Sequence, residues 1–164
     1  MTTKLYPWTF EDSGVRISYR KVSYQLSADL RKSFPAPRPP KVTVQYEKGP
    51  VVEENPADPD YQDALAVYKV EFEARLKKLI AKRAVEYDLT EDDRKDVAKL
   101  RADMAELGVD LKDETDREVW LFRIAISTPQ DYSDFVKAVT LRSAVTQEAK
   151  AEALASFRSD GSPS

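Results

Sequence analysis

Asp and Glu together number 29 in this chain, and three groups of them have a spacing that could do chemistry. Glu53, Glu54, Asp58 and Asp60 crowd a proline-rich stretch. A hard cation such as calcium takes several oxygens of this kind. The stretch lacks the alternating acidic ladder and the central glycine of a calcium loop, so the favoured reading is a capped, solvated helix start. Glu91, Asp92 and Asp93 could act as paired carboxylates in acid–base work. The first turn of a helix also attracts such residues, through the positive end of its dipole. Asp60, with the later Asp110-Leu111-Lys112, imitates the pieces of a magnesium-dependent nuclease. Shared metal ligands must converge on one ion, whereas Asp60 opens a helix and Asp110 follows one, so this reading is the weakest of the three.

The usual partners of such carboxylates are missing. The chain contains no histidine and no cysteine, so it cannot form a Ser-His-Asp or Cys-His constellation, a thiolate metal site or a disulfide. The residues therefore nominate no catalytic group, no metal ligand and no cofactor site. Arg16, Arg20, Lys21, Arg31 and Lys32 interleave with Tyr19 and Tyr24, a mixture that could grip a nucleic-acid strand. A net charge of -3 and abundant neighbouring acids favour an ordinary solvated face, and no nucleic-acid partner is expected. Residues 35–40 (Pro-Ala-Pro-Arg-Pro-Pro) have the spacing of a ligand for proline-recognising domains, though a stiff link is the plainer reading.

The elements that would position these groups follow from periodicity. The hydrophobic share of 41% is enough for a core, and 164 residues suit a single domain. Residues 15–20 alternate apolar and polar as a half-buried strand does, and residues 5–10 could pair with them. Ser23 can cap a short helix carrying Leu26, Leu30 and Phe34. Residues 41–46 alternate again, Lys48-Gly49 makes a turn, and Val51-Val52 can return beside them. Pro50 places that return at a sheet edge.

Asp58-Pro59 then opens the longest helix. Tyr61, Leu65, Tyr68, Phe72, Leu76, Leu79 and Ile80 recur along one side of it. Thr90 with Asp93, and Thr115 with Glu118, resemble capping boxes for two further helices, and Gly108 ends the first of these. Residues 118–126 are apolar on every side, which marks a central core helix. Thr128-Pro129 and Thr146 start two more helices, and residues 159–164 form a loose tail.

The expected fold is α+β and mostly α. A small N-terminal antiparallel sheet or hairpin lobe is followed by a bundle of about five helices. Residues 1–158 form one domain on this reading, with a β-rich lobe at 1–53 and the bundle at 58–158. The long helix and the last helix each carry more apolar or small residues than one core needs. The excess is either core or a surface for another chain. The N-terminus lacks the apolar stretch of a signal peptide and no run reaches the length of a membrane span, so a cytoplasmic protein without a membrane partner is expected.

The order of motifs resembles a known family. Arg20-Lys21-Val22-Ser23 precedes a short helix; then come Phe34-Pro35-Ala36-Pro37-Arg38-Pro39-Pro40, a Val-rich hairpin, and Asn55-Pro56-Ala57-Asp58-Pro59-Asp60-Tyr61. Ala125-Ile126-Ser127-Thr128, a segment capped by Thr146 and Phe157-Arg158-Ser159 follow. From about residue 15 to 158 this is similar to the small tail assembly chaperones of tailed bacteriophages and prophages. The resemblance implies a non-catalytic protein of the host cytoplasm, absent from the mature virion. It would bind the tape measure protein, assist tail tube subunits, and in many cases also exist as a frameshift-extended form. No family binding residue transfers to this chain. From the residues themselves, the contact surface is expected at Tyr46, Val51 and Val52 on the sheet edge and at Tyr68 and Phe72 on the long helix. The other two readings are a structural tail or head–tail connector component and a magnesium-dependent enzyme.

Overall fold

Two short aromatic strands begin the architecture, β1 (Tyr6–Thr9) and β2 (Arg16–Tyr19), in a computed structural model that describes residues 4–140. They pair antiparallel, Trp8 opposite Ile17 and Tyr6 opposite Tyr19. Helix α1 (Tyr24–Ser33) follows, and the Ser23 hydroxyl accepts the Leu26 N–H at 3.2 Å. Residues 35–40 carry no regular secondary structure. Strands β3 (Lys41–Tyr46) and β4 (Gly49–Glu54) form a hairpin in which Tyr46 faces Gly49. The two loop residues are thus Glu47 and Lys48, and Gly49 takes the positive φ of 118°. That places the turn one residue earlier than the Lys48-Gly49 pair suggests.

Helix α2 (Pro59–Arg83) starts where the Asp58 carboxylate accepts the Tyr61 N–H at 3.0 Å. Strand β5 (Val85–Glu86) then joins β2, so this sheet runs β1-β2-β5 and the hairpin is a separate two-stranded sheet. Helix α3 (Glu91–Glu106) opens on a complete capping box, with Thr90 and Asp93 each accepting the other's backbone N–H. It closes on Gly108, where Gly108 N–H reaches the Ala105 carbonyl and Val109 N–H the Met104 carbonyl. Helix α4 (Asp116–Val119) is capped by Thr115 and runs straight into a π-helical segment, Trp120–Ala125, then α5 (Pro129–Thr140) follows. The helix expected to start at Thr146 and the tail at 159–164 lie outside the described residues.

The expected α+β class, with an N-terminal antiparallel sheet and a helical remainder, is the class of the fold. The expected core helix at residues 118–126 is present but changes type. Ile126 N–H bonds the carbonyl five residues back, Leu121, at 2.9 Å. Its apolar side chains do point all round, for Val119, Trp120, Leu121, Ala125 and Ile126 are all buried.

The chain divides into two compact units, residues 1–27 with 77–164, and residues 28–76. This cuts across the expected lobe at 1–53 and bundle at 58–158. The reason is long-range pairing of β1 and β2 with later elements. Tyr19 faces Val85 of β5, Arg20 N–H reaches the Ala84 carbonyl at 2.8 Å, and Val22 N–H reaches Val139 at 3.0 Å. Trp8, Phe10 and Tyr19 all pack their rings within 6 Å of Phe135 on α5. The first unit therefore owns the aromatic core. The second holds the hairpin and the larger part of α2, and none of its residues is buried.

Candidate partner-binding surface

Register decides which hairpin side chains share a face. Val44 lies opposite Val51, Val42 opposite Glu53, and Tyr46 opposite Gly49. Side chains alternate along a strand, so Val42, Val44, Tyr46 and Val51 occupy one face and Thr43 and Val52 the other. Val42, Tyr46, Val51 and Val52 are all exposed, Val52 the most at 63%. The Tyr46 hydroxyl donates to the Glu53 carboxylate at 2.6 Å along the first face, and that bond raises the tyrosine's pKa above its ordinary value. The hairpin thus offers valines on both sides, and among the described residues no third strand pairs with either outer edge, the geometry that β-strand addition exploits.

The two expected residues on α2 are placed differently. Tyr68 stacks on Phe72 at 5.7 Å and on Phe34 at 5.0 Å, and its hydroxyl donates to the Phe34 carbonyl at 3.1 Å. The Arg75 guanidinium lies 4.2 Å from the centroid of the Phe34 ring. Tyr68 and Phe72 are half-buried members of a column that secures the end of α1, rather than free anchors. The five expected residues therefore do not converge on one site. Tyr46, Val51 and Val52 belong to the hairpin, and Tyr68 and Phe72 belong to the column. Phe34 and Arg75 complete that column. A hint for them was the placement of Phe34 directly before a proline, where a helix must stop, and of Arg75 three residues past Phe72. The remaining stripe, Tyr61, Leu65, Leu76 and Leu79, is half-buried, and only Ile80 and Ala81 of α2 are buried.

Five of the eight carboxylates with possible chemistry, Glu53, Asp58, Glu91, Asp93 and Asp110, are engaged in local structural contacts. Asp58 caps α2, Glu53 holds Tyr46, and Glu91 pairs with Lys95 at 3.5 Å. Asp110 accepts the Lys112 N–H at 2.9 Å. Asp93 serves the capping box and also accepts the Tyr87 hydroxyl at 2.8 Å. Partial burial there opposes the charge, but bonds from Thr90, Tyr87 and Trp120 outweigh it and hold the carboxyl below its ordinary pKa. Among the described residues no three acidic side chains gather as a metal would need. In the basic group, Arg20 pairs with Glu86 at 2.7 Å, and the Tyr19 ring is fully buried and cannot stack on a base.

Half-buried Arg117 and buried Glu118 and Asp131 staple the first unit. Arg117 donates to the carbonyls of Ala81, Val85 and Tyr87, the last at 2.9 Å. Buried Glu118 takes the Lys78 ammonium at 3.3 Å, and buried Asp131 accepts the N–H groups of Glu11 and Asp12. No described helix is long and apolar enough to cross a membrane. Set against known protein-family models, curated proteins and solved structures, the chain matches none of them.

Proposed function

We propose that this protein is a non-catalytic binding protein that covers apolar surface on a larger partner, and that it is a tail assembly chaperone of a tailed bacteriophage. One observation carries the binding role. The 28–76 unit contains Val42, Val44, Tyr46, Val51, Val52, Tyr61, Leu65, Tyr68 and Phe72, yet buries none of them. A lone two-stranded hairpin is at best marginally stable in water, and it gains stability when its apolar face is covered. The phage assignment rests on the order of motifs from Arg20-Lys21-Val22-Ser23 to Asn55-Pro56-Ala57-Asp58-Pro59-Asp60-Tyr61. In this reading the hairpin adds a strand to a segment of the tape measure protein in the host cytoplasm and leaves before the virion is complete.

Co-expression with the tape measure protein encoded nearby tests it. The expected result is a soluble complex recovered by gel filtration, with the chaperone absent from purified particles by mass spectrometry. Replacing Val51 and Val52 with glutamate should abolish the complex while leaving the helical circular dichroism unchanged. A tape measure protein that stays insoluble, or a complex indifferent to both substitutions, would overturn the proposal.

A further inference from the structure

Register also fixes which way each backbone group of the hairpin points. The Asn55 N–H reaches the Pro40 carbonyl at 2.7 Å, so Pro40 and Asn55 form a bonded pair at the open end. Bonded and non-bonded pairs alternate along an antiparallel ladder. The bonded pairs of the hairpin are therefore Val42 with Glu53, Val44 with Val51 and Tyr46 with Gly49. The backbone groups of Lys41, Thr43 and Gln45 point outward from β3, and those of Pro50, Val52 and Glu54 point outward from β4. All six residues are exposed. The two outward rows are not equivalent. Pro50 has no N–H, so β4 lacks a donor at the first of its outward positions, and it ends on two acids, Glu53 and Glu54. Strand β3 keeps every donor and starts at Lys41, with Arg38 just before it. Among the described residues neither of these cations is held in an ion pair.

We infer that β3 is the edge to which the partner adds its strand, and that the incoming segment is extended, apolar at alternate positions and acidic beside Lys41. The inference rests on the binding role proposed above and narrows it to one edge and one class of sequence. Outward N–H and carbonyl groups that recur at every second residue are matched in full by another extended chain. A strand laid on β4 would leave a carbonyl facing Pro50 without a donor, which is costly once water is excluded. On β3 the incoming side chains level with Val42 and Val44 join the face that Val51 extends from β4, so they are apolar. Thr43 and Gln45 stand on the other face and suit polar neighbours. Lys41 shares that other face at the open end, where an acidic side chain directly opposite neutralises it.

Residue-resolved hydrogen exchange on the full chain, free and in complex with the tape measure protein, tests the edge. The outward amides of Thr43 and Gln45 should slow by at least about tenfold in the complex, while those of Val52 and Glu54 keep their free rate. Thr43→Pro removes an outward donor and none of the hairpin's own bonds, and should abolish the complex. Glu54→Pro makes the equivalent change on β4 and should leave the complex intact. Lys41→Glu should weaken binding by at least about tenfold. Protection on Val52 and Glu54 instead, protection on neither row, or a complex indifferent to Thr43→Pro or to Lys41→Glu would overturn the inference and leave the binding role standing. Failure to form any complex would overturn both.

Discussion

Individual polar side chains in the first unit act as fasteners between stretches of backbone that lie far apart in the chain. Arg117 takes carbonyls from the end of α2, from β5 and from Tyr87, so one guanidinium holds three points of the chain. Asp131 does the converse, accepting two N–H groups of the turn after β1. Such bonds matter because a buried backbone group without a partner costs about 1–3 kcal/mol. Asp93 has a measurable signature. Its carboxyl is held below the ordinary pKa, so the unfolded chain binds its proton more readily than the folded one. The stabilisation is fully present above the unfolded value of about 3.9 and is lost as pH falls through the folded value. The urea midpoint should therefore drop in acid, and Asp93→Asn should drop less over the same range while being less stable at neutral pH. Parallel acid profiles for the two proteins would contradict this account.

Among the elements, the helices declare their ends through local chemistry. Ser23, Asp58, Thr90, Thr115 and Thr128 each accept an N–H three residues on. Those five starts are legible because a cap and its target lie within one turn. The end of α3 depends on backbone conformation. Gly108 has φ of +79°, and a Cβ there would meet nothing within 4 Å. Gly108→Ala should thus cost about 1 kcal/mol through left-handed strain alone, read as a shift in the denaturation midpoint. An unchanged midpoint would mean that the helix end refolds around another residue. The segment Trp120–Ala125 is harder to anticipate, for its side chains suit an α-helix equally well. Its wider π turn accompanies the stacking of Trp120 on Tyr87 at 4.2 Å and the burial of Leu121 and Ala125, which are tertiary demands.

For the whole molecule, the two units differ in kind. The first has a closed aromatic core around Phe135, with Trp8, Phe10 and Tyr19 against it. The second buries no side chain, so little resists local opening of its hydrogen bonds. Hydrogen exchange of the free protein should show hairpin amides of β3 and β4 exchanging well before those of β1, β2 and α5. Bound partner should slow the hairpin amides selectively. Equal protection in both units of the free chain would mean that the exposed valines are already covered.

The amino-acid order by itself determined the α+β class, the helix starts and the valine hairpin, because these depend on neighbours within four residues or on one turn. It also removed histidine and cysteine chemistry outright. Tertiary structure alone decided that β2 joins β5, with Tyr19 opposite Val85 and Ser18 opposite Glu86. It decided as well that Tyr68 stacks on both Phe34 and Phe72, and that Val67 and Val70 are left exposed. Periodicity shows that a side chain is apolar and which way it points along its own element. Whether another element arrives to cover it depends on contacts between residues far apart in the chain, and no local pattern records those.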